Sequence, residues 1–186
     1  LELFSLIPKF DLDPNKAAEV EEEETIERNI SLVSCDNAGA LLERVKGADV
    51  YFYPLIIDGS VTDLYFAFDN EIVVISPEAQ GYNDFICEFF EDESTKKYSF
   101  NTKELHRLAC KLGVELKGVK GDLMLSAYLL RPSDSNYDIA HLCLEYGVKI
   151  PEFLNSLGTK DENVELASVI KPLFEKTDIL IDDAQE

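Results

Sequence analysis

From position 30 onward the chain switches between two hydrophobic periods. Runs of apolar residues with a period near two predict strands, and spacings of three and four predict helices. "ISLV" (Ile30–Val33) is strand-like, and "DVYFYPLII", rich in β-branched and aromatic residues, predicts a central strand. "TDLYFAF" and "EIVVIS" flank an Asp-Asn turn and predict a hairpin, "KKYSF" a short strand and "VELKGV" a brief extended piece. Helical spacing places Phe85, Phe89 and Phe90 on one face of "YNDFICEFFED". It does the same for Leu105, Leu108 and Leu112 in "TKELHRLACKLG", with Asn101 as the expected cap and Gly113 as the stop. Asp36 or Asn37 caps "AGALLERVKG", which Gly47 ends. Asp122 caps "LMLSAYLLR" and Asp138 caps "IAHLCLEYG". Pro151 is expected in the first turn of a helix through "PEFLNSLG", and a final helix from "ENVELASVIK" onward is expected to bend or break at Pro172.

The order is strands first, then helices, an α/β layout led by an antiparallel hairpin. The first 28 residues read differently. "LELFSLIPKF" is amphipathic, and the acid run Glu21 to Glu24 behind it predicts a solvated linker, so residues 1–28 are expected to tether a domain at 29–186.

Composition narrows the function. An apolar share of 46% in 186 residues suits one globular domain. Thirty-seven acids against 17 bases give a net charge of −20, which repels phosphate and argues against a free-standing nucleic-acid-binding module. Cys35, Cys87, Cys110 and Cys143 lie far apart among apolar residues and read as reduced core cysteines, which points to a cytoplasmic setting. No signal peptide and no apolar run of about 18 residues is present, so no membrane partner is expected. The chain opens on Leu1, which suggests a fragment of a longer protein.

The stretch "GVELKGVKGDLMLSAYLLRPSDSNYDIAHLCLEYG" resembles the 3′–5′ exonuclease domain of family-A, polymerase-I-type DNA polymerases. That family shows a helix opening with Asn, then G-I-E-L-x-G, then D-T-x-L-x-x-Y-L-L, then a short L-A-x-x-Y helix. The resemblance covers roughly residues 30–146 and is strongest over 101–146, and "LELFSLI" is similar to the family's junction with its 5′-nuclease part. It implies an RNase H-like 3′–5′ exonuclease fold, with a mixed central sheet, an antiparallel hairpin and flanking helices. It also implies that Asp122 begins a helix and holds no metal.

Such exonucleases hydrolyse a phosphodiester with two divalent cations held by clustered carboxylates. The family supplies a D-x-E pair on the first central strand, an Asp four residues after the helix-opening Asn, and an Asp four residues after a late Tyr. Here the strand positions fall on Pro54 and Ile56, or on Tyr53 and Leu55 if the register slips by one. Leu105 stands four residues after Asn101, and no tyrosine follows Tyr146. Asp58 belongs to a turn, and Glu104 is rotated by about 100° from Leu105.

Other chemistry is thin. His106 and His141 read as structural or surface residues, and the pairs Lys96–Lys97 and Lys117–Lys120 as solvated. No catalytic residue, metal or cofactor is therefore expected. The expectation is an inactive exonuclease-like domain that supports the polymerase domain of the same chain in DNA replication or repair. That parent would be a DNA-directed DNA polymerase. DNA would be met through the parent rather than through this domain, and the protein is expected to be a monomer. The alternatives are a stand-alone RNase H-like interaction module, or a nuclease whose metal ligands have moved.

Overall fold

A computed structural model describes residues 30–155 and 158–183; the expected tether at 1–28 lies outside them. The elements run β1 (Ser31–Ser34), α1 (Ala38–Val45), β2 (Asp49–Ile57), β3 (Ser60–Phe68), β4 (Glu71–Ile75), α2 (Tyr82–Glu91) and β5 (Lys96–Ser99). They continue as α3 (Thr102–Leu112), β6 (Val119–Asp122), α4 (Leu123–Leu130), α5 (Ile139–Glu145), α6 (Glu162–Ser168) and α7 (Ile170–Asp183). One mixed sheet has the order β1-β4-β3-β2-β5-β6. β2, β3 and β4 form an antiparallel meander, and β1, β5 and β6 join it in parallel. The β2–β3 turn is Asp58-Gly59, both at positive φ (51° and 70°), the twist a two-residue hairpin requires.

Both sheet faces are covered, and the period-two alternation of β2 sorts its side chains between them. Val50 and Phe52 enter a core with Leu64, Phe66, Phe85, Phe89, Phe90 and Leu105, beneath α1, α2 and α3. Tyr51 and Tyr53 face the other way, toward a second core built from α4, α5 and α7 around Leu123, Leu142 and Phe174. In the first core Phe52 stacks on Phe66 with centroids 5.4 Å apart, and Phe89 meets Phe66 edge-on at 5.4 Å. At Gly121 a Cβ would lie 2.4 Å from the Phe174 ring, so α7 can approach the start of α4 only because that residue is glycine.

Several expectations are corrected. Residues 151–155 form no helix: a turn closed by the Asn155 amide on the Thr159 carbonyl (2.9 Å) competes with it, Gly158 takes φ +71°, and Leu154 bridges Lys160. The final helix breaks at Val169, while Pro172 sits in the first turn of α7, where its missing N–H is harmless. The last strand starts at Val119, downstream of most of "VELKGV". The buried stripe of α3 is Thr102, Leu105 and Ala109, and Leu112 is 37% exposed. Cys143 is buried, but Cys110 is exposed; all four cysteines are unpaired.

Lys97 is likewise not solvated. It is buried, its Nζ donating to the carbonyls of Asp92 (2.6 Å) and Thr95 (3.2 Å) and lying 5.0 Å from the Phe89 ring centroid. Burial pulls its amine down to about 8.

Candidate functional site

Strand β2 brings the expected ligand positions to the middle of the molecule. Its ladder with β5 ends at the pair Phe52–Ser99. Beyond that, Pro54 lies opposite Leu64 and Ile56 opposite Val61, with one residue more on β3 than on β2 between them. A proline, lacking an N–H, is tolerated at such an irregularity past the end of a ladder. Pro54 is buried and shares its face with Phe52, and Ile56 pairs with Val61, which packs on the α3-side core. Leu105 is 1% exposed in that same core.

The gap-free register therefore brings Pro54, Ile56 and Leu105 to one side of the sheet, all apolar. The slipped register gives Tyr53 and Leu55, which face Val164 and Ala167 of α6 instead. Neither register presents a carboxylate. Oxygen-seeking divalent cations do not fit these residues, and the two-metal chemistry of the exonuclease pattern cannot be routed through them.

The neighbouring acids are set apart from this apolar group. Asp58 is exposed in its turn. Glu104 pairs with Arg107 through both oxygens at 3.0 Å. Asp122 works hardest. Its Oδ1 accepts from the amides of Met124 (3.0 Å) and Asn101 (3.0 Å), and its Oδ2 from the amide and hydroxyl of Thr102 (both 2.8 Å). One carboxylate thus caps α4, as expected, and also α3. Asn101, the expected cap of α3, sits at φ +55° and makes no side-chain cap bond. With every hydrogen bond directed at a helix start, Asp122 is a structural hinge-pin between α3 and α4.

Two buried charged residues were not singled out by pattern as buried. Lys97 lies next to the exposed Lys96 and reads as part of a solvated pair. Glu165 is 3% exposed on α6, accepts from the Phe153 amide (2.8 Å) and pairs with Lys160 (3.3 Å). The pattern holds no signal for it, since Asp161, Glu162 and Ser168, one helical turn away on its own face, are polar. On the same side, burial pushes the Tyr65 hydroxyl up to about 12, and the charges of Asp161 and Asp63 add to the effect.

Among the described residues, the one group with metal-ligand spacing is Asp134, His141 and Glu145, whose ligand atoms lie within 4.8 Å of one another. It belongs to α5 and the preceding loop rather than to β2 or α3. Arg131 Nη1 is 2.5 Å from Glu145 Oε1, and His141 Nε2 is 3.8 Å from Oε2. The guanidinium already neutralises that carboxylate and opposes a second cation, so the group is an ion-pair network. His106 is exposed, and Lys117 pairs with Glu115 at 3.6 Å.

No helix among the described residues is long and apolar enough to cross a membrane. The family model described as DNA polymerase I, ribonuclease H-like domain matches residues 58–178. A segment of 63 residues is 35% identical to DNA polymerase I of Bacillus subtilis, covering 34% of this chain and 7% of that protein. The fold is similar to the POL domain of Pol1 from M. smegmatis, solved in complex with DNA primer-template and dNTP (TM-score 0.60, 21% identity, 80% of this chain and 27% of that one). It is also similar to Brucella melitensis NrnC bound to pGG (TM-score 0.58, 14% identity, 84% of each chain). Trypanosoma brucei RNase D is a further neighbour (TM-score 0.56, 14% identity, 82% of this chain and 66% of that one). At these identities the structural likenesses establish the RNase H-like fold alone.

Proposed function

The chain belongs to the DNA polymerase I ribonuclease H-like domain family, and from that premise we propose that it is a 3′–5′ exonuclease-like domain that has lost its nuclease. The observation that carries this is the burial of Leu105, 1% exposed, where the exonuclease pattern has a metal-binding aspartate. Pro54 and Ile56 stand at the other strand positions. Packing apolar side chains where acids once repelled one another stabilises a fold that no longer needs a charged cleft.

The domain's remaining work is architectural. It supports the polymerase part of a longer chain, a DNA-directed DNA polymerase of replication or repair in the cytoplasm. Its net charge of −20 keeps its own surface off DNA, which the parent holds elsewhere. The chain spans a small part of the polymerase relatives it matches, 7% of the Bacillus protein and 27% of the mycobacterial one, in keeping with one supporting module of a larger machine.

The test uses the parent polymerase on a primer with a mispaired 3′ end. The mispaired nucleotide should persist or be extended over. Its removal before extension, with the released nucleotide recovered, would contradict the proposal.

A further inference from the structure

Helix α5 ends at Glu145 and α6 begins only at Glu162. A connection that long is uncommon inside a compact domain and usually has work to do. Its stretch 151–155 meets the body of the protein at few points. Glu152 and Leu154 are exposed, and Phe153 packs inward on the cluster of Tyr65, Ile72, Val164 and Ala167. Three backbone amides hold the stretch. The Phe153 amide donates to Glu165 Oε1 (2.8 Å), the Asp161 amide to the Phe153 carbonyl (3.1 Å) and the Asn155 amide to the Thr159 carbonyl (2.9 Å). Among these partners Glu165 is the one inside a helix, and it is buried. Its other oxygen, Oε2, lies 3.3 Å from Nζ of Lys160, a half-exposed residue of the same connection. One buried carboxylate thus grips the connection twice, by an amide bond and by an ion pair.

We propose that 151–155 is a strap that opens as one unit while the sheet and helices stay folded, and that Glu165 is its latch. Opening lifts Phe153 off its apolar seat and lets water reach the carboxylate. Segments with few buried apolar contacts open at a fraction of the cost of global unfolding. Helix α6 stays behind, because its Val164 and Ala167 are fully buried against the sheet. Charge decides how firmly the latch holds. The buried carboxylate is tolerated because Lys160 neutralises it and the Phe153 amide hydrogen-bonds it. Removing the cation alone leaves an uncompensated charge in the closed state, and opening relieves that charge by hydration. Removing both charges leaves nothing to relieve, while a glutamine at 165 still offers the Phe153 amide an acceptor. A contact that merely fills space has no such dependence on charge. The strap is independent of the lost nuclease, and neither reading needs the other.

The experiment is residue-resolved hydrogen exchange by NMR at neutral pH, on the 186-residue chain as wild type, as Lys160→Met and as the Lys160→Met/Glu165→Gln double variant. In wild type the amides of Phe153, Asn155 and Asp161 should share one protection factor, about a hundredfold or more below that of the β2 and β3 amides. Lys160→Met should lower that shared protection about tenfold or more, and the double variant should recover most of the loss. The β2 and β3 amides should keep their protection in all three proteins, which shows that each is folded. Strap amides that exchange only together with the sheet would overturn the inference, because 151–155 would then have no opening of its own. Equal protection in wild type and Lys160→Met, or a double variant no better protected than Lys160→Met, would overturn Glu165 as the latch. None of these outcomes bears on the nuclease, so the strap and the functional proposal fail separately.

Discussion

Replacing Asp122 by alanine should destabilise the domain more than removing any other helix cap. The carboxylate accepts four hydrogen bonds, three from backbone amides and one from the Thr102 hydroxyl. A single N-cap contributes about 1 kcal/mol, and hydrogen bonds to a charged acceptor about 1.5–3 kcal/mol each, less than additively within one group. Two helix starts lose their acceptor at once, so Asp122→Ala should cost about 3–5 kcal/mol. Asp122→Asn keeps one oxygen acceptor and should fall between. Asp138 provides the internal standard: it caps α5 alone, through the His141 amide at 2.7 Å, and Asp138→Ala should cost about 1 kcal/mol. Urea unfolding monitored by far-UV circular dichroism gives all three values from midpoints at a common slope. A cost for Asp122→Ala no larger than for Asp138→Ala would refute the shared cap. So would an unchanged Asp122→Asn, since the amide nitrogen cannot accept from Thr102.

Leu105→Asp, which restores one acid of the exonuclease pattern, should lower the melting temperature sharply without creating a nuclease. The lost leucine contributes about 2–5 kcal/mol and an unpaired buried charge adds a comparable penalty, so an unchanged melting temperature would mean that Leu105 does not pack in the core. Lys97 predicts an alkaline rise in stability. Its amine is depressed from 10.5 to about 8, so between those values the unfolded chain binds a proton that the folded one does not, and raising pH favours folding. Tyr65 and Tyr82, pushed up to about 12 by burial, reverse the trend above pH 10. Urea midpoints at pH 7.5, 8.5 and 9.5 should therefore rise for wild type relative to Lys97→Met, and parallel curves would show that Lys97 is hydrated.

Much of this architecture is written in local pattern. The alternation in DVYFYPLII, the turns Asp58-Gly59 and Asp69-Asn70, and the Phe85/Phe89/Phe90 spacing specify the meander and the helix above it, because each is decided within a few residues. The misses are tertiary. Pro151 is a good first-turn residue, but the Asn155–Thr159 turn and the grip of buried Glu165 on the Phe153 amide claim the segment instead. Asn101 has the right side chain to cap α3, yet a carboxylate 21 positions later does so. Lys97 reads as surface because its charge does, and only the carbonyls of Asp92 and Thr95 make its burial tolerable. The positions Pro54, Ile56 and Leu105 come from the family resemblance, with the residue count along β2 and from Asn101 deciding which side chain stands at each. The resemblance also implies that they cluster, but the near-complete burial of Leu105 depends on how α3 lies across β2.

The most direct measurement is hydrolysis of 3′-labelled single-stranded DNA by the purified chain in Mg²⁺ or Mn²⁺, followed over hours at micromolar protein. The account predicts no release of labelled nucleotide above a buffer control, and none after Leu105→Asp. Nucleotide release that co-purifies with the chain, needs the divalent cation and disappears when Asp58, Glu104 or Asp63 is replaced would contradict it, by locating a working carboxylate site beside residues assigned to packing.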